Sequence, residues 1–174
     1  MTDVFHRNLL KDLKEILEET MGLSSTLVEP SESMPLVSLS TALKPDEKQR
    51  DRAVNHALFP FSEADMEHTL LLQFFFQLPF ALNTAHLTDV ALLLQTINNR
   101  IPLGCYSLNT DEQSIQFRYI MPLPNHVPLN SDLVGEVMVL LIVFQDLFPP
   151  VIESLNTGEA TLQEALQATY ALEQ

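Results

Sequence analysis

Leu70-Leu71-Leu72-Gln73-Phe74-Phe75-Phe76-Gln77-Leu78 is the most apolar strand candidate in the chain, interrupted only by Gln73 and Gln77. A strand apolar on both alternating faces lies centrally in a sheet with something packed over each side, so this stretch predicts a sheet core covered twice. Pro79 is expected to end it. Phe74-Phe75-Phe76 reads as core in a region this apolar, in preference to an exposed stacking platform.

Toward the N-terminus, Leu36 to Leu43 alternates Val37, Leu39 and Thr41 with Ser38 and Ser40, as in a strand with one wet face. Lys44 to Arg52 is polar and carries four of the nine basic residues. It reads as a hairpin loop, either a solvated tip or a docking loop for an acidic partner. Arg52 to Phe61 is the expected returning strand and Ser62 to Glu67 a second polar turn. Ahead of these, Phe5, Leu9, Leu13, Ile16, Leu17 and Met21 recur at helical spacing, and Gly22 supplies the stop.

Toward the C-terminus, Leu87, Val90, Ala91, Leu94, Ile97 and Ile101 form the stripe of a second helix, capped at Asn83 or Thr84 and ended by Pro102. Leu103 to Leu108 and Ser114 to Met121 then read as a hairpin, and Pro122, Pro124 and Pro128 make the next connection irregular. Ser131 is the expected cap of a third helix through about Phe148. The β-branched run Val137 to Phe144 also fits a buried strand, but length favours helix. Pro149-Pro150 forces a kink or restart, and Thr161-Leu162-Gln163-Glu164 is a capping box opening a terminal helix at about 161–172.

Together these elements predict a single α+β domain over 1–174, with an antiparallel sheet of about five strands. The expected order is helix, three strands, helix, two strands, helix, helix. With 174 residues, 46% of them hydrophobic, and only 4 Gly, the chain has the composition of a folded domain with one substantial core.

Charge narrows the partners. Against 9 Lys plus Arg stand 23 Asp plus Glu, for a formal charge of -14, and no Lys or Arg follows Arg118. Nucleic acids and anionic membrane leaflets both attract basic surfaces, so neither is an expected partner. The longest unbroken apolar run, Val137 to Phe144, falls short of the ~20 residues that cross a bilayer, so no transmembrane span is expected. Met1 to Arg7 lacks the basic start and apolar core of a secretory signal. A lone cysteine, Cys105, makes no internal disulfide and no cysteine-based metal cluster. A reducing, cytoplasmic location follows as an expectation.

The four glycines stand apart and form no phosphate-cradling loop, and no Gly-x-Ser-x-Gly elbow is present. His6, His56, His68, His86 and His126 show no paired metal-ligand spacing, and Cys105 reads as a small core residue. No enzyme, cofactor or metal is therefore expected. Arg118, between Phe117 and Tyr119 on a strand, should point away from the apolar face. It serves either an exposed salt bridge or an anionic small-molecule ligand, the latter implying a pocket nearby.

The third helix carries the interaction reading. Its apolar residues surround it completely, so it must be covered on all sides, and one side is available to a partner or second subunit. Leu133, Val137, Leu140, Leu141, Phe144 and Phe148 are the candidate interaction residues.

The element order, with Ile97-Asn98-Asn99-Arg100-Ile101-Pro102-Leu103-Gly104 and Ile115-Gln116-Phe117-Arg118-Tyr119, resembles the YbjN-like and type III secretion chaperone-like domains. Those are small acidic α+β proteins with helices packed on an antiparallel sheet. The resemblance covers roughly Val4 to Leu155, leaving the terminal helix as an addition. It implies a homodimer that binds a protein client and carries no enzymatic residues. A charge placed inside the third helix tests its core role: Leu141→Glu is expected to lose at least about 3 kcal/mol of stability or fail to fold, as measured by thermal melting followed by circular dichroism.

Overall fold

The computed structural model describes residues 2–31, 35–59 and 66–172. Helix α1 (Thr2–Met21) buries Leu9, Leu13 and Leu17 of the expected stripe together with Leu10, whereas Ile16 and Met21 are half-buried and Phe5 is exposed. Gly22 ends it at φ +65, and its N–H bonds the Glu18 carbonyl. Strands β1 (Ser25–Val28), β2 (Ser38–Leu43), β3 (Arg52–Leu58), β4 (Thr69–Ala81), β5 (Cys105–Asn109) and β6 (Ser114–Pro124) form one sheet of order β1-β2-β3-β4-β6-β5. The fold is α+β, with antiparallel pairing in the β1–β2, β2–β3, β3–β4 and β5–β6 ladders.

The sheet has six strands rather than about five. The addition is β1, a four-residue edge strand whose Ser25 pairs with Thr41. It is too short and too polar to show a period of its own. Two prolines expected to break strands do not. β4 continues through Pro79 to Ala81 and β6 through Pro122 to Pro124, because a strand tolerates proline wherever the missing N–H has no ladder bond to make. The returning strand reaches Leu58, and the Phe59 N–H still bonds the Leu71 carbonyl, while positions 60 and 61 of its expected range and most of the Ser62 to Glu67 turn lie outside the described residues.

By internal packing the chain forms two units, Met1–Phe76 with Tyr119–Met138, and Gln77–Arg118 with Val139–Gln174. In the first, α1 lies against β1, β2 and β3. Leu39, Thr41, Val54, His56, Leu72, Phe74 and Phe76 are buried in this unit, while their neighbours Ser40, Asn55, Ala57, Leu71, Gln73 and Phe75 stay partly open. On β4 burial is uneven: Leu72, Phe74, Phe76 and Leu78 are buried on one face, whereas Leu71, Gln73 and Phe75 on the other are half-buried and Gln77 is exposed. Phe74 and Phe76 are core, whereas Phe75 is half-buried on the opposite face. Between β2 and β3, Asp46 accepts bonds from the Arg50 backbone N–H (2.8 Å) and Nε (2.6 Å), and Arg52 Nε bonds the Lys44 carbonyl. The arginines thus hold the expected hairpin loop together.

In the second unit, Asn83 caps a 3-10 turn (Thr84–His86) that leads into α2 (Leu87–Asn98). Asn98 offers its side-chain amide to the Tyr106 backbone, accepting its N–H (2.7 Å) and donating to its carbonyl (2.9 Å). A strand residue whose N–H and C=O both meet one side chain is satisfied as if another strand lay beside it, so the β5 edge is closed there. Helices α4 (Pro149–Thr157) and α5 (Leu162–Ala171) pack on α2 and on each other. Buried Asn156 of α4 bridges the Asn83 N–H and the Ala81 carbonyl. Arg100 lies over the Tyr170 ring of α5 at 4.1 Å. The capping box at Thr161 and Glu164 forms as expected.

Gly104 precedes β5 at φ +75, and a Cβ there would sit 2.4 Å from Phe117 Cζ and 3.0 Å from the Arg118 carbonyl. Gly104→Ala is accordingly expected to lose about 2–4 kcal/mol in urea denaturation. A loss below ~1 kcal/mol would contradict this close approach.

Candidate interaction surface

Helix α3 (Ser131–Leu147) starts from Asn130, whose Oδ1 accepts the Leu133 N–H at 3.0 Å. Asn130 therefore takes the capping role expected of Ser131, since its amide oxygen reaches the orphan donor. Seventeen residues of helix resolve the strand alternative for Val137 to Phe144. The same stretch, continued through α4 as Ser131–Thr157, is long and apolar enough to cross a membrane by length and composition. The unbroken run Val137 to Phe144 is shorter because Glu136 precedes it and Gln145 and Asp146 follow it. Val134, Met138, Leu141 and Ile152 within it are fully buried in the protein, and Pro149-Pro150 starts a separate helix.

Two faces of α3 have different fates. Val134, Val137, Met138, Leu141, Phe144 and Gln145 recur at three- and four-residue spacing and are buried, with Phe148 just past the helix end. Gly135 is buried as well, and a Cβ there would lie 3.8 Å from the Thr20 methyl of α1. In the second unit, the buried Tyr106 hydroxyl donates to the Phe144 carbonyl (2.9 Å) and accepts from Gln145 Nε2 (3.2 Å). Tyr106, Phe117, Phe144 and Phe148 stack about this bond at centroid distances of 4.8 to 6.4 Å. Burial pushes the Tyr106 phenol far above its ordinary range, so it stays neutral as a bonded core group.

The opposite face stays open. Leu133 (45% exposed), Val139 (55%), Val143 (41%) and Leu147 (37%) line it, with Leu140 half-buried among them and the exposed carboxylates Asp132, Glu136 and Asp146 interspersed. Of the six residues expected to form an interaction surface, Leu133 and Leu140 lie on this open face. Val137, Leu141, Phe144 and Phe148 belong to the chain's own core. Val139, Val143 and Leu147 join the surface only through the helical phase set by tertiary burial. In an all-round apolar helix the sequence leaves that phase undefined.

Arg118 is exposed on β6, pointing away from buried Phe117 as expected, and pairs in register with half-buried Cys105. Among the described residues it forms no ion pair with a carboxylate. Also among the described residues, no group of three or more His, Cys, Asp or Glu side chains is placed to hold a metal ion. One polar chain is sealed in the first unit. Ser25 Oγ meets Thr41 Oγ1 at 2.9 Å, Thr41 Oγ1 meets His56 Nε2 at 3.2 Å, and the His56 ring stands edge-on to Phe74 at 4.9 Å. All three polar residues are buried and His56 Nδ1 has no partner, so this Ser–Thr–His chain is closed to substrate. The alternation that put Thr41 on the Leu39 side was its only sequence signal.

No model of a known protein family matches the chain, and no curated protein matches it.

Burial lowers the His56 pKa from 6.5 to about 3. The unfolded chain therefore binds a proton that the folded chain refuses between those values, and stability is present above pH 6.5 and lost as pH falls toward 3. Wild type is expected to lose about 1.4 kcal/mol per pH unit more than His56→Leu below pH ~6. Parallel stability curves for the two proteins in urea melts across pH 7 to 4.5 would contradict a buried neutral imidazole.

Proposed function

We propose that this chain is a non-enzymatic, cytoplasmic, homodimeric protein-binding module of the YbjN-like or type III secretion chaperone-like kind, working on a protein client. The observation that carries the reading is the open apolar face of α3, where Val139, Val143 and Leu147 stand in solvent on a helix whose other face is fully engaged. Exposed apolar residues grouped at helical spacing on one face mark a surface that another protein covers. The α+β architecture agrees with the resemblance, and β1 and the separate α4 and α5 helices extend its pattern.

Two measurements test the reading. Val143→Asp adds one charge at an exposed position and is expected to change stability by no more than about 1 kcal/mol. Affinity capture from the native cell should yield a stoichiometric protein partner with the wild-type chain and none with Val143→Asp. Sedimentation velocity should give a dimer at micromolar concentration. A strict monomer would remove the homodimer, and capture of the same partner by both proteins would remove α3 as its surface.

A further inference from the structure

We propose that the Lys14–Glu18 pair of α1 takes the place of a neighbouring strand at the β1 edge, and that this contact holds the edge shut against strand addition by a second copy of the chain.

An edge strand presents a row of backbone N–H and C=O groups with which another chain can pair, and β1 is an edge strand of the sheet, antiparallel to β2. The Ala42 N–H bonds the Ser24 carbonyl at 2.9 Å, so Ser24 turns its polar backbone toward β2. By the alternation of an antiparallel ladder Thr26 and Val28 do the same, while Ser25 and Leu27 turn theirs outward.

Ser25 is answered from α1. Its N–H donates to Glu18 Oε1 at 3.2 Å, its carbonyl accepts from Lys14 Nζ at 2.8 Å, and Nζ and Oε1 lie 3.3 Å apart. The ammonium only donates and the ionised carboxylate only accepts, so each side chain meets the one backbone group it can satisfy. Asn98 does the same for Tyr106 on β5, the other edge strand, with both atoms from one amide. With Ser25 engaged, Leu27 is the outward residue that remains in a strand of 4 residues, and a single residue makes no ladder.

The strand is otherwise suited to its own copy. Ser25 and Leu27 flank Thr26 symmetrically, so about a twofold axis at Thr26 the Ser25 of one chain would exchange N–H and C=O bonds with Leu27 of the second copy. Ser25–Val28 carries no charge to oppose that pairing.

The test uses the full chain with Lys14→Met and Glu18→Leu combined, which removes the donor and the acceptor and keeps good helix formers in α1. In dilute solution the Ser25 amide of this variant should exchange hydrogen at least tenfold faster than in wild type. As concentration rises, sedimentation velocity should show species larger than the wild-type protein forms, with the Ser25 and Leu27 amides becoming protected together. Adding Leu27→Pro removes an outward N–H that the β2 ladder does not use, and should restore the wild-type size. Lys14→Arg with Glu18→Gln keeps a donor and an acceptor in place and should behave as wild type. Unchanged Ser25 exchange in the Met/Leu variant would overturn the proposal, as would fast exchange without larger species, larger species that survive Leu27→Pro, or association of the Arg/Gln variant. Should the Met/Leu variant fail to fold by thermal melting, Glu18→Leu alone releases the Ser25 N–H and is held to the same outcomes.

Discussion

A helix that is apolar on every side needs cover on every side, and this chain supplies cover for about half of α3. Val134, Met138 and Leu141 are wholly buried, while Val139 and Val143 on the other side remain in water. Burying a Val or Leu side chain is worth roughly 1.5–3 kcal/mol, so the open side is an unspent driving force for association. The buried side is held in place by directional bonds as well as by packing. The Tyr106 hydroxyl, unable to reach water, ties β5 to the Phe144 carbonyl and the Gln145 amide, which fixes the rotation of α3 in that unit.

The same logic of satisfied polar groups governs the rest of the interior. Asn98 and Asn156 each spend a side-chain amide on two backbone groups, closing a strand edge in one case and clamping the approach to α2 in the other. Thr41 and Ser25 share hydroxyl bonds beneath α1. His56 is the incomplete member: its Nδ1 is buried without a partner, and desolvation keeps the ring neutral. That leaves a buried polar atom in the first unit whose solvation penalty depends on pH.

The sequence by itself determined the element types, most of their ends and the α+β class, because alternation, helical spacing and caps are local. The α1 stripe with Gly22, the capping box at Thr161 and the outward direction of Arg118 were all legible for that reason. Only tertiary structure decided where periodicity is silent. β1 is too short to show a pattern, Pro79 and Pro122 stay in strands because of which neighbours need their N–H, and β4 is apolar on both faces while more deeply buried on one. Above all, an all-round apolar α3 carries no phase of its own. Which of its residues become core and which become surface is set by the Tyr106 and α1 contacts that other parts of the chain bring to it.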